Sequence, residues 1–166
     1  MEKLTLHLIR HAKSDWNHEQ LSDHDRPLNK RGLRDAPIMA ERFFAQFGSP
    51  DYWASSTAMR AKSTMHFFAQ ACEKDENKVE LHKELYHASM QDILDHINNI
   101  PPTAKTAVLF GHNPGMSEIS TYLSNEFIEM PTCCSVSMEF NFDQWRMVSG
   151  RTGELIKLDY PKNILA

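Results

Sequence analysis

Hydrophobic positions in this chain gather into short runs that stop abruptly at polar residues. Leu4, Leu6, Leu8 and Ile9 form a strand that ends at Arg10-His11, and Tyr52-Trp53-Ala54 forms a second that ends at Ser55-Ser56-Thr57. Val79-Glu80-Leu81-His82 alternates like a short third strand, and Thr106 to Phe110 is a continuous apolar run that ends at Gly111-His112. Between the runs the period changes to that of a helix. Leu33, Ala36, Met39, Ala40, Phe43 and Phe47 follow the N-cap candidate Asn29 until Gly48-Ser49-Pro50 stops the pattern, with Pro37 expected to kink it or to fall in an irregular first turn. Met59 to about Cys72 is a second helix capped by Ser56 or Thr57. Ser89 caps a third that runs to Ile100, and Met116 to Ser124 is a fourth.

Beyond residue 134 the pattern changes to alternation. Val136, Met138, Phe140 and Phe142, then Leu155, Ile156 and Leu158 after the Ser149–Gly153 turn, predict two antiparallel strands. Strands alternating with helices, followed by a hairpin, predict an α/β fold: a three-layer α/β/α sandwich with a mostly parallel sheet and an antiparallel edge.

Composition narrows the class. A length of 166 residues fits one domain spanning 1–166, and a formal net charge of -4 with a pI near 6.1 argues against a nucleic-acid-binding surface. The cysteines, Cys72 and the adjacent Cys133-Cys134, have neither disulfide-framework nor metal-ligand spacing, which points to reduced thiols and a cytoplasmic protein. No apolar run approaches the roughly 20 residues of a membrane span. The nine histidines are scattered without metal-ligand spacing, so no metal and no cofactor are expected. His7 reads as a core or sheet-face residue.

The chemistry lies at three strand ends, where loops meet outside the carboxyl edge of such a sheet. The first offers Arg10 and His11, a fixed planar cation beside a side chain that is nucleophilic when neutral; a phosphate is the ligand that suits this pair. The second offers Ser56 and Arg60 at a helix start, and the third His112 with Asn113. Taken singly, Arg60 is equally a solvated helix arginine and Gly111-His112-Asn113-Pro114-Gly115 a tight strand-to-helix turn. Their occurrence together, in this order, favours a common site.

These residues carry a resemblance. Leu8-Ile9-Arg10-His11-Ala12-Lys13-Ser14-Asp15-Trp16-Asn17, Asp25-Arg26-Pro27-Leu28 with Arg31-Gly32, Ser56 with Arg60-Ala61 and Thr64, and Gly111-His112-Asn113-Pro114-Gly115 resemble the histidine phosphatase superfamily, and within it the small phosphohistidine phosphatases of the SixA type. The resemblance implies a phosphoglycerate mutase-like fold and a metal-independent hydrolase that attacks phosphorus with His11, holds the phosphoryl oxygens with Arg10 and Arg60, and neutralises charge with His112. Ser14 and Asn17 could add hydrogen bonds to the phosphate, or be ordinary loop residues. Arg26 and Arg31 are structural or rim residues on this reading, and Lys13, where many relatives have glutamate, is read as a surface lysine.

Larger relatives use a glutamate after the third strand as general acid, and Glu84 is the candidate by position; a solvated glutamate after a strand is an equal reading. Imidazole leaves more easily than an alkoxide, so a phosphohistidine on a partner protein is the expected substrate. A small phosphate ester is the alternative, and a non-catalytic phosphate-binding interaction module is the third reading. The short interval from Thr64 to Gly111 leaves no room for a lid insertion, which implies an open site.

Overall fold

The computed structural model describes residues 2–163. One six-stranded sheet runs β1 (Leu4–Arg10), β2 (Tyr52–Ser56), β3 (Glu80–His82), β4 (Thr106–Gly111), β5 (Ser135–Phe140) and β6 (Gly153–Asp159) in the spatial order β3-β2-β4-β1-β5-β6. β1, β2, β3 and β4 are mutually parallel. β5 is antiparallel to β1 on one side and to β6 on the other, so the hairpin sits where the alternation beyond residue 134 predicts. β5 stops at Phe140, two residues short of the alternating pattern, and Phe142 packs on the core from the loop.

Period-two alternation divides the sheet between two apolar layers. Leu4, Leu6 and Leu8 with Ala54, Leu109, Val136 and Met138 pack against Ile93 and Ile97 of α3 (Met90–Asn98) and Ile119 and Leu123 of α4 (Gly115–Ser124). Ile9, Trp53, Val108 and Phe110 pack against Met39 and Phe43 of α1 (Lys30–Phe47) and Met65 and Phe68 of α2 (Met59–Ala71). Each such fully buried side chain contributes about 1.5–3 kcal/mol of hydrophobic stabilisation. His7 lies on the second face, its ring against Phe43 and Phe47 and its Nδ1 2.7 Å from Ser137 Oγ, which satisfies a buried polar group in an apolar layer. The three cysteines are free and buried.

Two of the four α-helices start on a side-chain cap, and α4 starts after Pro114 without one. Asn29 accepts from the Gly32 amide, and Ser89 with Asp92 closes a full capping box. At α2 the N-cap is Ala58, with no side-chain cap; Ser56 Oγ instead accepts the Ala58 amide from two residues upstream. α1 continues as one helix through Pro37. No helix among the described residues is long and apolar enough to cross a membrane.

Two glycines allow close approaches that shape the upper edge of the sheet. A Cβ on Gly32 would lie 2.2 Å from the Lys13 carbonyl oxygen, so only glycine lets the first turn of α1 rest on the chain leaving β1. A Cβ on Gly115 would lie 2.4 Å from the Ala88 carbonyl oxygen, so the segment carrying Tyr86 and His87 can sit on the start of α4.

Candidate active site

Parallel pairing of β1 with β4 places Arg10 opposite Gly111, so the residues that follow, His11 and His112, emerge at the same level. Their ring centroids are 5.0 Å apart. The strand-end residues read from the sequence as three separate signals are therefore one cluster, because β2, which ends at Ser56, is the other neighbour of β4.

His11 is buried, and its Nδ1 lies 2.7 Å from the Ala12 carbonyl oxygen. A carbonyl only accepts, so Nδ1 carries the proton and Nε2 holds the lone pair. Its backbone is clamped from both sides: the amide donates to the Gly111 carbonyl and the carbonyl accepts from the Cys133 amide. The Ala12 amide donates to Thr64 Oγ1, whose own hydroxyl donates to the Arg60 carbonyl, so the chain after β1 is tied to α2. Burial pushes the His11 imidazole down to about 3, with Arg60, Arg10 and Arg26 adding to the effect and the Ala12 hydrogen bond opposing it. The ring is neutral and nucleophilic across the physiological range.

His112 Nε2 lies 2.8 Å from Ser56 Oγ. Among the described residues Nε2 is the acceptor within reach of the fully buried Ser56 hydroxyl, so the serine proton points to Nε2 and the neutral ring carries its proton on Nδ1. Burial, followed by the nearby His11, Arg60 and His87, pushes His112 down to about 3, against a smaller opposing effect of Asp23. The ring is neutral, where the sequence left open whether it is protonated.

Arg10 donates through Nη1 to the Met130 carbonyl, which also accepts from Asn113 Nδ2. Arg60 donates through Nη1 and Nη2 to the carbonyl and the carboxylate of Asp23. One terminal nitrogen of Arg10 and both of Arg60 are thus engaged, while neither Nε–H has a partner. Among the described residues, the buried side-chain polar atoms without a partner are Arg10 Nε, Arg60 Nε and His112 Nδ1. Each such atom left unpaired costs about 1–3 kcal/mol. All three are donors gathered at one end of the sheet, a set whose chemistry suits an anion.

The other candidates are placed elsewhere. Ser14 is buried and its Oγ accepts from Arg26 Nη1, while Asn17 is exposed; both line a groove of about 500 Å³ with Lys13, Trp16, Lys30 and Arg31, a groove that His11, Arg60 and His112 do not line. Glu84 is two-thirds exposed, its carboxylate 3.8 Å from His82 Nδ1 on the β3 side of the loop, and it makes no contact with the cluster. Arg26 is a buried connector: it donates to Asp23, Ser14 and the Asp15 carbonyl, and Trp16 stacks on it at 3.5 Å.

Two residues at the cluster were not singled out from the sequence, Asp23 and Tyr86. The Tyr86 hydroxyl donates to Asp23 Oδ2 at 2.6 Å, and its ring faces Arg60 and His112. Only the polar character of the Ser14–Arg26 loop hinted at Asp23. Among the described residues no group of three or more His, Cys, Asp or Glu side chains could hold a metal ion.

Residues 6–100 match the family model of the histidine phosphatase superfamily, branch 1. An uncharacterized chloroplastic protein of Arabidopsis thaliana is 31% identical over 154 residues, covering 88% of this chain and 71% of that protein. The crystal structure of the putative phosphohistidine phosphatase SixA from Agrobacterium tumefaciens superposes with a TM-score of 0.82 at 25% identity, over 95% of this chain and 98% of that one. A protein histidine phosphatase SixA complexed with tungstate superposes at 0.83 with 16% identity, over 97% and 99%, a likeness of fold. The fold is phosphoglycerate mutase-like, as the strand and helix pattern together with the motifs implied.

Proposed function

This chain belongs to the histidine phosphatase superfamily, and from that premise we propose that it removes phosphoryl groups from phosphohistidine on a protein partner, through a phosphohistidine formed on its own His11 and without a metal. The observation that carries the reading is the gathering, in one cluster, of a His11 Nε2 lone pair and three unpartnered N–H groups on Arg10, Arg60 and His112. A nucleophile beside donors of this kind suits an electrophilic centre bearing anionic oxygens.

In the first step the lone pair of His11 Nε2 attacks phosphorus. The substrate's P–N bond breaks and its electron pair returns to the leaving imidazole. When the far nitrogen of that imidazole is protonated, it departs neutral and asks no proton of the enzyme. Arg10 Nε, Arg60 Nε and His112 Nδ1 donate to the equatorial oxygens, and the two guanidinium charges balance the negative charge there without a metal ion. In the second step water attacks the phosphorus of phospho-His11, the new P–N bond breaks, and its electron pair returns to Nε2. Phosphate leaves with the proton balance taken up by solvent.

The placement of Glu84 supports the phosphoramidate reading over an alkyl ester, because an alkoxide leaving group requires a proton and no carboxylic acid is held at the cluster. Asp23 is unsuited to supply that proton, because the Tyr86 hydroxyl, followed by Arg60 and Arg26, holds its carboxyl well below the usual carboxylate range. The SixA protein of the same fold that binds tungstate, an oxyanion, is consistent with a phosphoryl group as the ligand here.

The experiment is turnover of a phosphohistidine protein and of an aryl phosphate by wild type and His11→Ala. Loss of about a thousandfold or more, with an acid-labile phosphoryl group trapped on the wild-type peptide containing His11, is expected. Undiminished turnover in His11→Ala overturns the reading.

A further inference from the structure

Asp23 lies in a short helical turn, Asp23–Asp25, within the polar segment between β1 and α1. It joins three parts of the chain. Its carbonyl accepts from Arg60 Nη1 at 2.7 Å, and its Oδ2 accepts from Arg60 Nη2 at 3.0 Å. The same Oδ2 accepts from the Tyr86 hydroxyl at 2.6 Å, and Oδ1 accepts from Arg26 Nε at 3.0 Å. His87 Nε2 stands 3.8 Å from Oδ2.

Arg60 is almost fully buried, and among the described residues the Asp23 carbonyl is the backbone acceptor of its guanidinium. Two points of attachment on its terminal nitrogens fix the plane of the group and leave Nε–H as the unpartnered donor. The Tyr86 ring, 5.8 Å from the guanidinium carbon, closes one side of this arrangement. We infer that Asp23 is a positioning residue of the phosphatase reaction, which orients Arg60 toward the equatorial phosphoryl oxygens and binds Tyr86 over the same edge of the site. This rests on the role of Arg60 given above.

The geometry sets the direction of the effect. Arg10 is held by a backbone carbonyl, which a side-chain substitution leaves in place, whereas one of the two Arg60 contacts is a carboxylate that a substitution removes. Neutralising Asp23 loosens Arg60 and at the same time leaves the pocket one charge more positive. The added charge favours any bound phosphate, so ground-state binding changes little. Loss of orientation falls on the transition state, where the donors must be aligned. A residue that served only folding would lower the amount of active protein without separating these two quantities.

The test is kcat, together with the inhibition constant of inorganic phosphate, for Asp23→Asn and Tyr86→Phe, with the melting temperature of each. Asp23→Asn is expected to lower kcat at least tenfold while the phosphate inhibition constant stays within threefold of wild type. Tyr86→Phe keeps the ring and removes one contact to the carboxylate; it should lower kcat at least threefold with the same constancy of phosphate binding. It serves alone should Asp23→Asn fail to fold. A smaller loss of kcat, or a loss matched by weaker phosphate binding, overturns the inference. His11→Ala separates the two claims: inactive His11→Ala with unimpaired Asp23→Asn defeats only the positioning role, whereas active His11→Ala defeats the reading beneath it.

Discussion

His112 Nε2 and Ser56 Oγ are 2.8 Å apart, and among the described residues that nitrogen is the acceptor within reach of the buried serine proton, while Ser56 Oγ itself receives the Ala58 amide. The pair fixes which nitrogen of His112 faces the site with its proton. Without the hydroxyl, the neutral ring is free to exchange tautomers, and half of the active geometry is lost. Ser56→Ala should lower kcat about threefold to tenfold, the value of one hydrogen bond of about 0.5–1.5 kcal/mol. Steady-state kinetics on an aryl phosphate checks this; an unchanged kcat means that His112 is oriented by something else.

Glu84 is two-thirds exposed, and its carboxylate lies 3.8 Å from His82 Nδ1. Glu84→Gln should alter kcat/KM on a phosphohistidine protein by less than about threefold, far below the hundredfold or more typical of a general acid. The same variant on an alkyl phosphate measures whether the acid is recruited by a different substrate. A hundredfold loss on either would bring Glu84 into the chemistry.

On the proposed mechanism the guanidinium and imidazole donors take the part a metal plays elsewhere, so turnover should persist in excess chelator. Tungstate or vanadate should compete with substrate and raise the melting temperature, since an oxyanion satisfies buried donors that are otherwise unpaired. Activity lost to chelator and restored by a divalent ion would reverse the assignment.

Stability should fall as the solution is acidified from about pH 6.5 toward 3. Burial first of all holds His7, His11 and His112 down to about 3 and His96 to about 4, so each is neutral in the fold while the unfolded chain protonates near 6.5. In that window the unfolded state binds more protons, which makes stability rise with pH by up to about 1.4 kcal/mol per pH unit for each ring. The stabilisation is complete above about 6.5. Urea midpoints across this range would show the slope, and a flat profile would contradict the burial of these rings.

Gly32→Ala should weaken the fold by about 1–3 kcal/mol, the usual cost of forcing an extra methyl into a filled space. The added Cβ would meet the Lys13 carbonyl oxygen at 2.2 Å, and backbone cannot rotate away as a side chain can. Because Lys13 follows His11 by two residues, kcat should drop as well. Denaturant melts and turnover of the variant test both halves.

The sequence by itself determined which stretches form strands, which faces are apolar and roughly where the helices lie. Period-two and period-3.6 patterns are local properties of the chain, so Leu4–Ile9, Thr106–Phe110, Asn29 and Ser89 could be read without knowing what they pack against. The order of the chemistry along the chain, Arg10-His11, Ser56 with Arg60, then His112, was legible for the same reason. Tertiary structure alone decided the register that sets Arg10 opposite Gly111, the tautomers of His11 and His112, and the use of Ser56 for His112 instead of as the α2 N-cap. It also decided that Ser14 serves Arg26, and that Asp23 meets Arg60 and Tyr86 across 37 and 63 residues of chain. Contacts of that separation depend on how loops of irregular backbone settle on a finished sheet, and a polar loop residue carries no periodic signal to announce its partner.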